Sequence, residues 1–210
     1  MSGRTGEYIN GGWRFRRTAA TESRTRLAAP GADDSGWDEI SLPHTWNADD
    51  CTGRADNSPE YAEGYYRGRG CYRRKVFLPN DQYRGRGIFI EFGGANTVTE
   101  LYINGKSVGR HEGGYSAFRF DITRHVRVGT ENVFTVFVSN ATSEYIAPIC
   151  DCGDFTKMGG IYRPVRLIST NRVRLGDIRP DVEVLDGGAR VSTAVRIENG
   201  DAADSRVAVR

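Results

Sequence analysis

The chain has 210 residues, a formal net charge of +2, and 38% apolar and 10% aromatic residues. That is enough for one substantial core, or for one domain with part of a second, and it excludes a disordered chain. Basic residues are spread along the sequence rather than clustered, which argues against a nucleic-acid partner. No run of about 18 apolar residues marks a membrane span, and MSGRTGEYINGGWRF lacks the apolar stretch of a secretory leader, so a cytoplasmic protein is the expectation.

With 26 glycines against 7 prolines, many turns between short strands are expected. Tyr8, Ile9 and Asn10, then Trp13 and Phe15, flank Gly11–Gly12 and read as two short strands joined by a turn. Thr18 to Gly36 is polar and reads as a surface loop; Trp37 to Leu42 is extended and stops at Pro43, which lacks the donor a sheet requires. His44 to Tyr66 has little periodicity and much Asp, Asn and Gly, and a loop of that length in a compact domain is usually functional or mobile.

Cys71 to Leu78 reads as a half-buried strand. Ile88 to Phe92 and Val133 to Val138 are apolar on both faces, as strands covered on both sides are. Between them Asn104–Gly105 separates two extended runs and predicts a type I′ hairpin turn. No segment sustains an apolar repeat of 3.6 residues, so helix content is expected to be low and the fold class all-β, a sandwich. After Thr170 the segment 171–177 is polar, a fresh strand pattern begins at Ile178, Val191 to Ile197 alternates, and Val207 and Val209 open a third strand. The 36 residues from Leu175 on are too few to cover both faces of a small sheet, so the expectation is an N-terminal piece of a longer protein, cut inside its second domain.

The segment CDCGDFTKMGGIYRPVRLIS, Cys150 to Ser169, places one carboxylate, Asp154, in a polar loop ahead of Gly159, Gly160 and an apolar strand. A loop of this kind is the expected point of ligand contact; the other reading of an Asp before a bend is an Asx turn or a cap. Cys51, Cys71, Cys150 and Cys152 form no C-x-x-C pair, and free thiols are expected over disulfides or a metal. His44, His111 and His125 lie far apart without ligand spacing; no metal and no cofactor is expected.

The order INGGWRF, SLPHTWN, YYRGRGCYRRKVFLP, FGGANTVTELYINGKSVGRHEGGYSAFRFDIT and DFTKMGGIYRPVRLI resembles the sugar-binding domain that opens glycoside hydrolase family 2 enzymes, which include β-galactosidases, β-glucuronidases and β-mannosidases. The resemblance covers roughly residues 8 to 170 and departs from the family where Cys71 replaces a Trp common in the G-x-G-W-Y-R segment. It implies a jelly-roll β-sandwich over residues 1–174, then the first strands of an immunoglobulin-like β-sandwich over 175–210, with the two catalytic glutamates on a (β/α)₈ barrel that this chain lacks. The chain alone is therefore expected to be inactive, and Glu100, Glu112, Glu131 and Glu144 are read as surface or strand-edge residues.

The same resemblance implies that Asp154 lies near the bound sugar and that Asn57, with Asp56 beside it, comes from a second loop directed at the pocket. A carboxylate accepts several hydrogen bonds and orients vicinal hydroxyls, which suits substrate positioning rather than bond cleavage. His44 and Trp46 are read as packing and hydrogen-bonding groups beneath that loop, and Arg73, Arg74 and Arg163 as members of structural ion pairs. The expected partners are a carbohydrate substrate and the barrel of the same polypeptide; an oligomer is compatible with the family. The alternative is a stand-alone carbohydrate-binding module.

Overall fold

The computed structural model describes residues 3–48, 50, 61–62, 65–141, 145–146 and 157–201. In chain order the elements are β1 (Arg4–Tyr8), β2 (Trp13–Thr18), α1 (Arg24–Ala28), β3 (Asp38–Ile40), β4 (Tyr61–Ala62), β5 (Tyr65–Tyr66), β6 (Arg69–Phe77), α2 (Asn80–Tyr83), β7 (Gly87–Phe92), β8 (Val98–Ile103), β9 (Lys106–Glu112), β10 (Phe118–Asp121), β11 (Glu131–Ser139), β12 (Val165–Thr170), β13 (Val173–Leu185) and β14 (Gly188–Asn199). Val207 and Val209, the expected start of a third strand, lie outside the described residues.

Two antiparallel sheets make an all-β sandwich: a four-stranded sheet in the order β1-β12-β7-β10 and a six-stranded sheet in the order β3-β2-β6-β11-β8-β9. Between them Trp13, Tyr72, Ile90, Phe92, Leu101 and Phe134 are fully buried, each side chain contributing on the order of 2 kcal/mol by leaving water. Gly11–Gly12 does separate two strands, yet β1 pairs with β12 and β2 with β6, so the turn carries the chain from one sheet to the other. Gly12 adopts φ +70, a conformation open to glycine. Asn104 (φ 51) and Gly105 (φ 82) form the two-residue turn between Ile103 and Lys106 with the positive φ pair a type I′ turn requires.

Three sequence expectations are corrected. The polar stretch from Thr18 to Gly36 is more than a surface loop: Ser23 caps α1 by accepting from the Arg26 amide, and Leu27 and Ala28 are buried. They pack with Trp37, Cys71 and Phe137 into a second small core on the outer face of the six-stranded sheet. That layer explains why β6 is buried on both faces at Cys71, Tyr72 and Arg73 rather than half-buried. A five-residue helix is too short to leave a periodic trace, so nothing in the pattern announced the cover.

The last strands begin at Val173, five residues before the expected start at Ile178, because a register shift between Leu175 and Ile178 breaks the alternation that a sequence pattern relies on. β13 and β14 form a two-stranded ribbon. One of its faces carries Ile178, Val182 and Val184 opposite Val195, Val191 and Ala189, all exposed in this structure.

Candidate functional site

The chemistry-bearing end of the sandwich is built from residues that follow β3, precede β6 and follow β11. Asn47 is fully buried, and its side chain meets four partners. Its Nδ2 donates to Asp50 Oδ2 at 2.5 Å and to the Tyr66 carbonyl at 2.9 Å, while its Oδ1 accepts from the Gly159 amide at 2.6 Å and from Asn140 Nδ2 at 3.4 Å. Asn140, also fully buried, donates to the carbonyls of Lys157 (2.8 Å) and Tyr66 (3.1 Å) and accepts from the Gly68 amide at 2.9 Å. Asp50 Oδ2 takes the Tyr66 amide at 2.9 Å, and Arg17 Nη2 reaches Asp50 Oδ1 at 3.4 Å and the Trp46 carbonyl at 2.7 Å. A buried amide without partners costs a few kcal/mol, so this geometry is fixed once the surrounding core forms.

An aromatic layer adjoins the polar one. Trp46 stacks on Phe15 with 6.0 Å between centroids and meets Tyr66 edge-on, and the Arg17 guanidinium lies 4.5 Å from the Tyr66 ring centroid. His44 packs 4.6 Å from Phe15, and its Nδ1 lies 2.9 Å from Tyr72 Oη, which also accepts from the Ile161 amide. His44 thus both packs and hydrogen-bonds, while the Trp46 side chain packs, its buried Nε1 having no hydrogen-bond partner among the described residues.

Residues 157–161 run between these groups and Asn96. Thr45 Oγ1 donates to the Gly159 carbonyl at 2.8 Å and the His44 amide to the Ile161 carbonyl at 2.8 Å. From the other side Asn96 Nδ2 donates to the Met158 carbonyl at 3.0 Å and the Asn96 amide to the Gly160 carbonyl at 3.1 Å. No side chain fits at the two glycines of this strap: a Cβ at Gly159 would fall inside the Trp46 indole, and one at Gly160, whose φ is +119, would overlap the His44 carbonyl and Tyr72 Oη.

Asp154, Asn57 and Asp56 lie outside the described residues, as do Glu144, Cys51, Cys150 and Cys152. What the structure brings together are the roots of the segments that carry them. Asp50 and Tyr66 flank the 51–60 stretch, Asn140 and Lys157 flank the 147–156 stretch, and Asn47 and Asn140 tie all four together. Sequence reasoning missed Asn47, Asp50 and Asn140; Asn47 ends the quoted LPHTWN motif, and that position was the available signal.

The arginines divide. Arg73 is 1% exposed and pairs with Asp34 at 2.8 Å. Arg163 has no carboxylate among the described residues and donates to the carbonyls of Gly93 and Tyr115, a correction to the expected ion pair: the chain turns at 93 and 115 supply main-chain acceptors where a side-chain anion was anticipated. Arg74 is held below the ordinary guanidinium range by burial, with Glu7 opposing. The Cys71 thiol is buried and pushed far up by desolvation, which makes it unreactive. Among the described residues no group of three His, Cys, Asp or Glu converges as metal ligands, and no helix is long and apolar enough to cross a membrane.

His44 is held below its ordinary value of 6.5 chiefly by desolvation, with Asp38 pulling the other way. The sign follows from linkage: the unfolded chain takes up this proton first, so stability is unaffected above about pH 7 and falls as pH drops through the unfolded pKa of about 6.5. His44→Gln is expected to flatten the fall in urea midpoint between about pH 7 and 5. An unchanged slope in that variant would assign the loss to other groups, His111 among them, whose pKa burial also lowers.

The fold is thus a two-sheet antiparallel sandwich in which the residues flanking positions 51–60 and 147–156 meet at one end. The family described as "Glycosyl hydrolases family 2, sugar binding domain" matches residues 7–171, and the chain belongs to that family. It is similar to a β-glucuronidase of Bacteroides fragilis (35% identical; 78% of this chain, 20% of the relative). It is also similar to a β-galactosidase of Thermoanaerobacter pseudethanolicus (32% identical; 83% of this chain, 23% of the relative). Among solved structures, a Bacteroides uniformis β-glucuronidase superposes with a TM-score of 0.74 at 29% identity, covering 94% of this chain and 26% of that one. The chain therefore spans about a fifth to a quarter of the length of these relatives.

Proposed function

We propose that this chain is the sugar-binding portion of a retaining β-glycosidase and that it shapes, rather than operates, the sugar pocket. The observation that carries the reading is the buried Asn47–Asp50–Asn140 cluster, which roots together the two segments bearing Asn57 and Asp154. Family membership and relatives named β-glucuronidase and β-galactosidase support a glycoside as the ligand. In this reading Asp154 accepts hydrogen bonds from vicinal sugar hydroxyls, Asn57 adds a contact from the facing segment, and the acid/base and nucleophile glutamates belong to a (β/α)₈ barrel elsewhere in the polypeptide. Residues 175–210 open an immunoglobulin-like domain between the two.

The test is Asp154→Asn in the barrel-containing enzyme, assayed on nitrophenyl β-glucuronide and β-galactoside. Losing an oriented carboxylate is expected to lower kcat/KM by more than tenfold, about 1.4 kcal/mol or more of transition-state stabilisation. A change within about twofold would remove Asp154 from the sugar contact. The 210 residues alone are expected to show no turnover, and hydrolysis by them would overturn the placement of the catalytic carboxylates.

A further inference from the structure

The hydrogen bond between His44 and Tyr72 has a direction that the rest of the network fixes. Tyr72 is fully buried, and its Oη accepts from the Ile161 amide at 3.4 Å, so its own proton needs an acceptor. Among the described residues that acceptor is His44 Nδ1, 2.9 Å away. The neutral imidazole therefore carries its proton on Nε2, and Nδ1 is the nitrogen that takes up a second one.

Proton uptake at Nδ1 reverses that bond. An imidazolium donates from both nitrogens and accepts at neither, so the buried Tyr72 O–H loses its acceptor. The cost falls on the strap, because both residues hold it at Ile161: Tyr72 Oη at the amide, and the His44 main-chain amide at the carbonyl, 2.8 Å away. The other ties of the strap, from Asn47 and Thr45 to Gly159 and from Asn96 to Met158 and Gly160, involve no titrating group. Burial opposes the charged ring, and Asp38 of β3, opposite Phe15 in the ladder, favours it. On β2 the ring meets Phe15, while Arg14, Arg16 and Arg17 pair with Glu39, Glu22 and Asp50. β6 adds Arg73, paired with Asp34, and Arg74, two positions from Tyr72; the strap adds Lys157, four residues before Ile161.

We propose that His44 and Tyr72 form a proton-controlled pin on residues 157–161, holding Ile161 while His44 is neutral and letting it go when His44 is charged. Both are positioning residues: they touch the strap, not a ligand. The consequence for a ligand rests on the sugar-pocket reading above. Asp154 lies three residues before the strap, so its carboxylate is placed less firmly in acid than at neutral pH.

The experiment follows the His44 Cε1–H resonance and the backbone amides of residues 158–161 in the chain between about pH 7.5 and 5. The Gly160 and Ile161 amides are expected to titrate together with His44, at one midpoint below about 6.5. Exchange protection of the Ile161 amide, corrected for the intrinsic rate, should fall about tenfold across that midpoint. In His44→Asn the amide oxygen stands near the place of Nδ1, accepts from Tyr72 and takes up no proton, so protection should be kept and its pH dependence lost. Tyr72→Phe keeps the ring packing and should hold Ile161 at the acid value throughout while His44 still titrates, with the thermal midpoint checked. Strap amides that ignore the His44 titration, or an Ile161 pH dependence that survives in His44→Asn, would overturn the pin. In the barrel-containing enzyme, kcat/KM of His44→Asn relative to the parent is expected to rise toward acid, and a constant ratio would overturn the coupling to the pocket. The Asp154→Asn kinetics can fail with the co-titration intact, and the co-titration can fail with those kinetics as expected, so the two readings fall separately.

Discussion

Replacing Arg73 by Leu is expected to destabilise the chain by about 3 kcal/mol, the largest effect of any single change on the outer layer. The guanidinium is buried, and its Nε meets Asp34 Oδ2 at 2.8 Å. Its Nη1 donates to the carbonyls of Leu27 (2.5 Å) and Ala29 (3.1 Å), and its Nη2 to those of Ala32 (3.4 Å) and Pro30 (3.5 Å). One side chain therefore satisfies the carbonyls left by the end of α1 and the irregular chain after it. Removing it leaves those acceptors without a donor while Asp34, which is partly exposed, recovers some hydration, so the cost falls at the lower end of the range for broken buried pairs. In a chain of this size the thermal midpoint should fall by about 6–12 °C. Arg73→Lys keeps the charge and loses the fork, and should recover less than half. A loss under about 1 kcal/mol for the Leu variant would mean that water satisfies the carbonyls.

The second large effect belongs to Gly160. A methyl group there would stand 2.5 Å from the His44 carbonyl and 2.8 Å from Tyr72 Oη, on a backbone at φ +119 that L-residues rarely adopt. Conformational strain of about 1–3 kcal/mol adds to a similar cost of overpacking, so Gly160→Ala is expected to lose about 3–5 kcal/mol. Gly12→Ala is the control: its φ is +70 but nothing lies within 4 Å of the added carbon, so the loss should stay near 1 kcal/mol. Urea midpoints of the two variants measure the difference, and equal losses would show that contacts at 44–45 and 72 are not what fixes residue 160.

Much of the sandwich is legible in the sequence because its signals are local. Asn104–Gly105 specifies its turn by backbone chemistry alone, and β7 and β11 announce themselves by apolar residues on both faces. β6 defeats the same reading because Arg73 counts as a polar residue in any pattern, while its burial depends on carbonyls of residues 27–32 that are distant in sequence. The ribbon's start was misplaced because a register shift interrupts the two-residue period. At the candidate site the motif residues Gly159 and Gly160 were legible, and the structure gives their reason in Trp46 and Tyr72. Asn47, Asp50 and Asn140 were not, since an amide that bridges three separate segments has no periodic signature.

The grip of that cluster, with Arg17, Thr45 and Asn96 beside it, falls largely on main-chain atoms: the carbonyls of Tyr66, Lys157, Trp46, Met158 and Gly159, and the amides of Gly68, Tyr66 and Gly159. Every residue offers the carbonyl, and every residue but proline the amide, whatever its side chain. Apart from its glycines, the frame therefore places little demand on which side chains the segments display, and substitutions between the roots leave the anchorage untouched. Such a frame tolerates side-chain drift in the stretches between its roots with no compensating change in the sandwich that carries them.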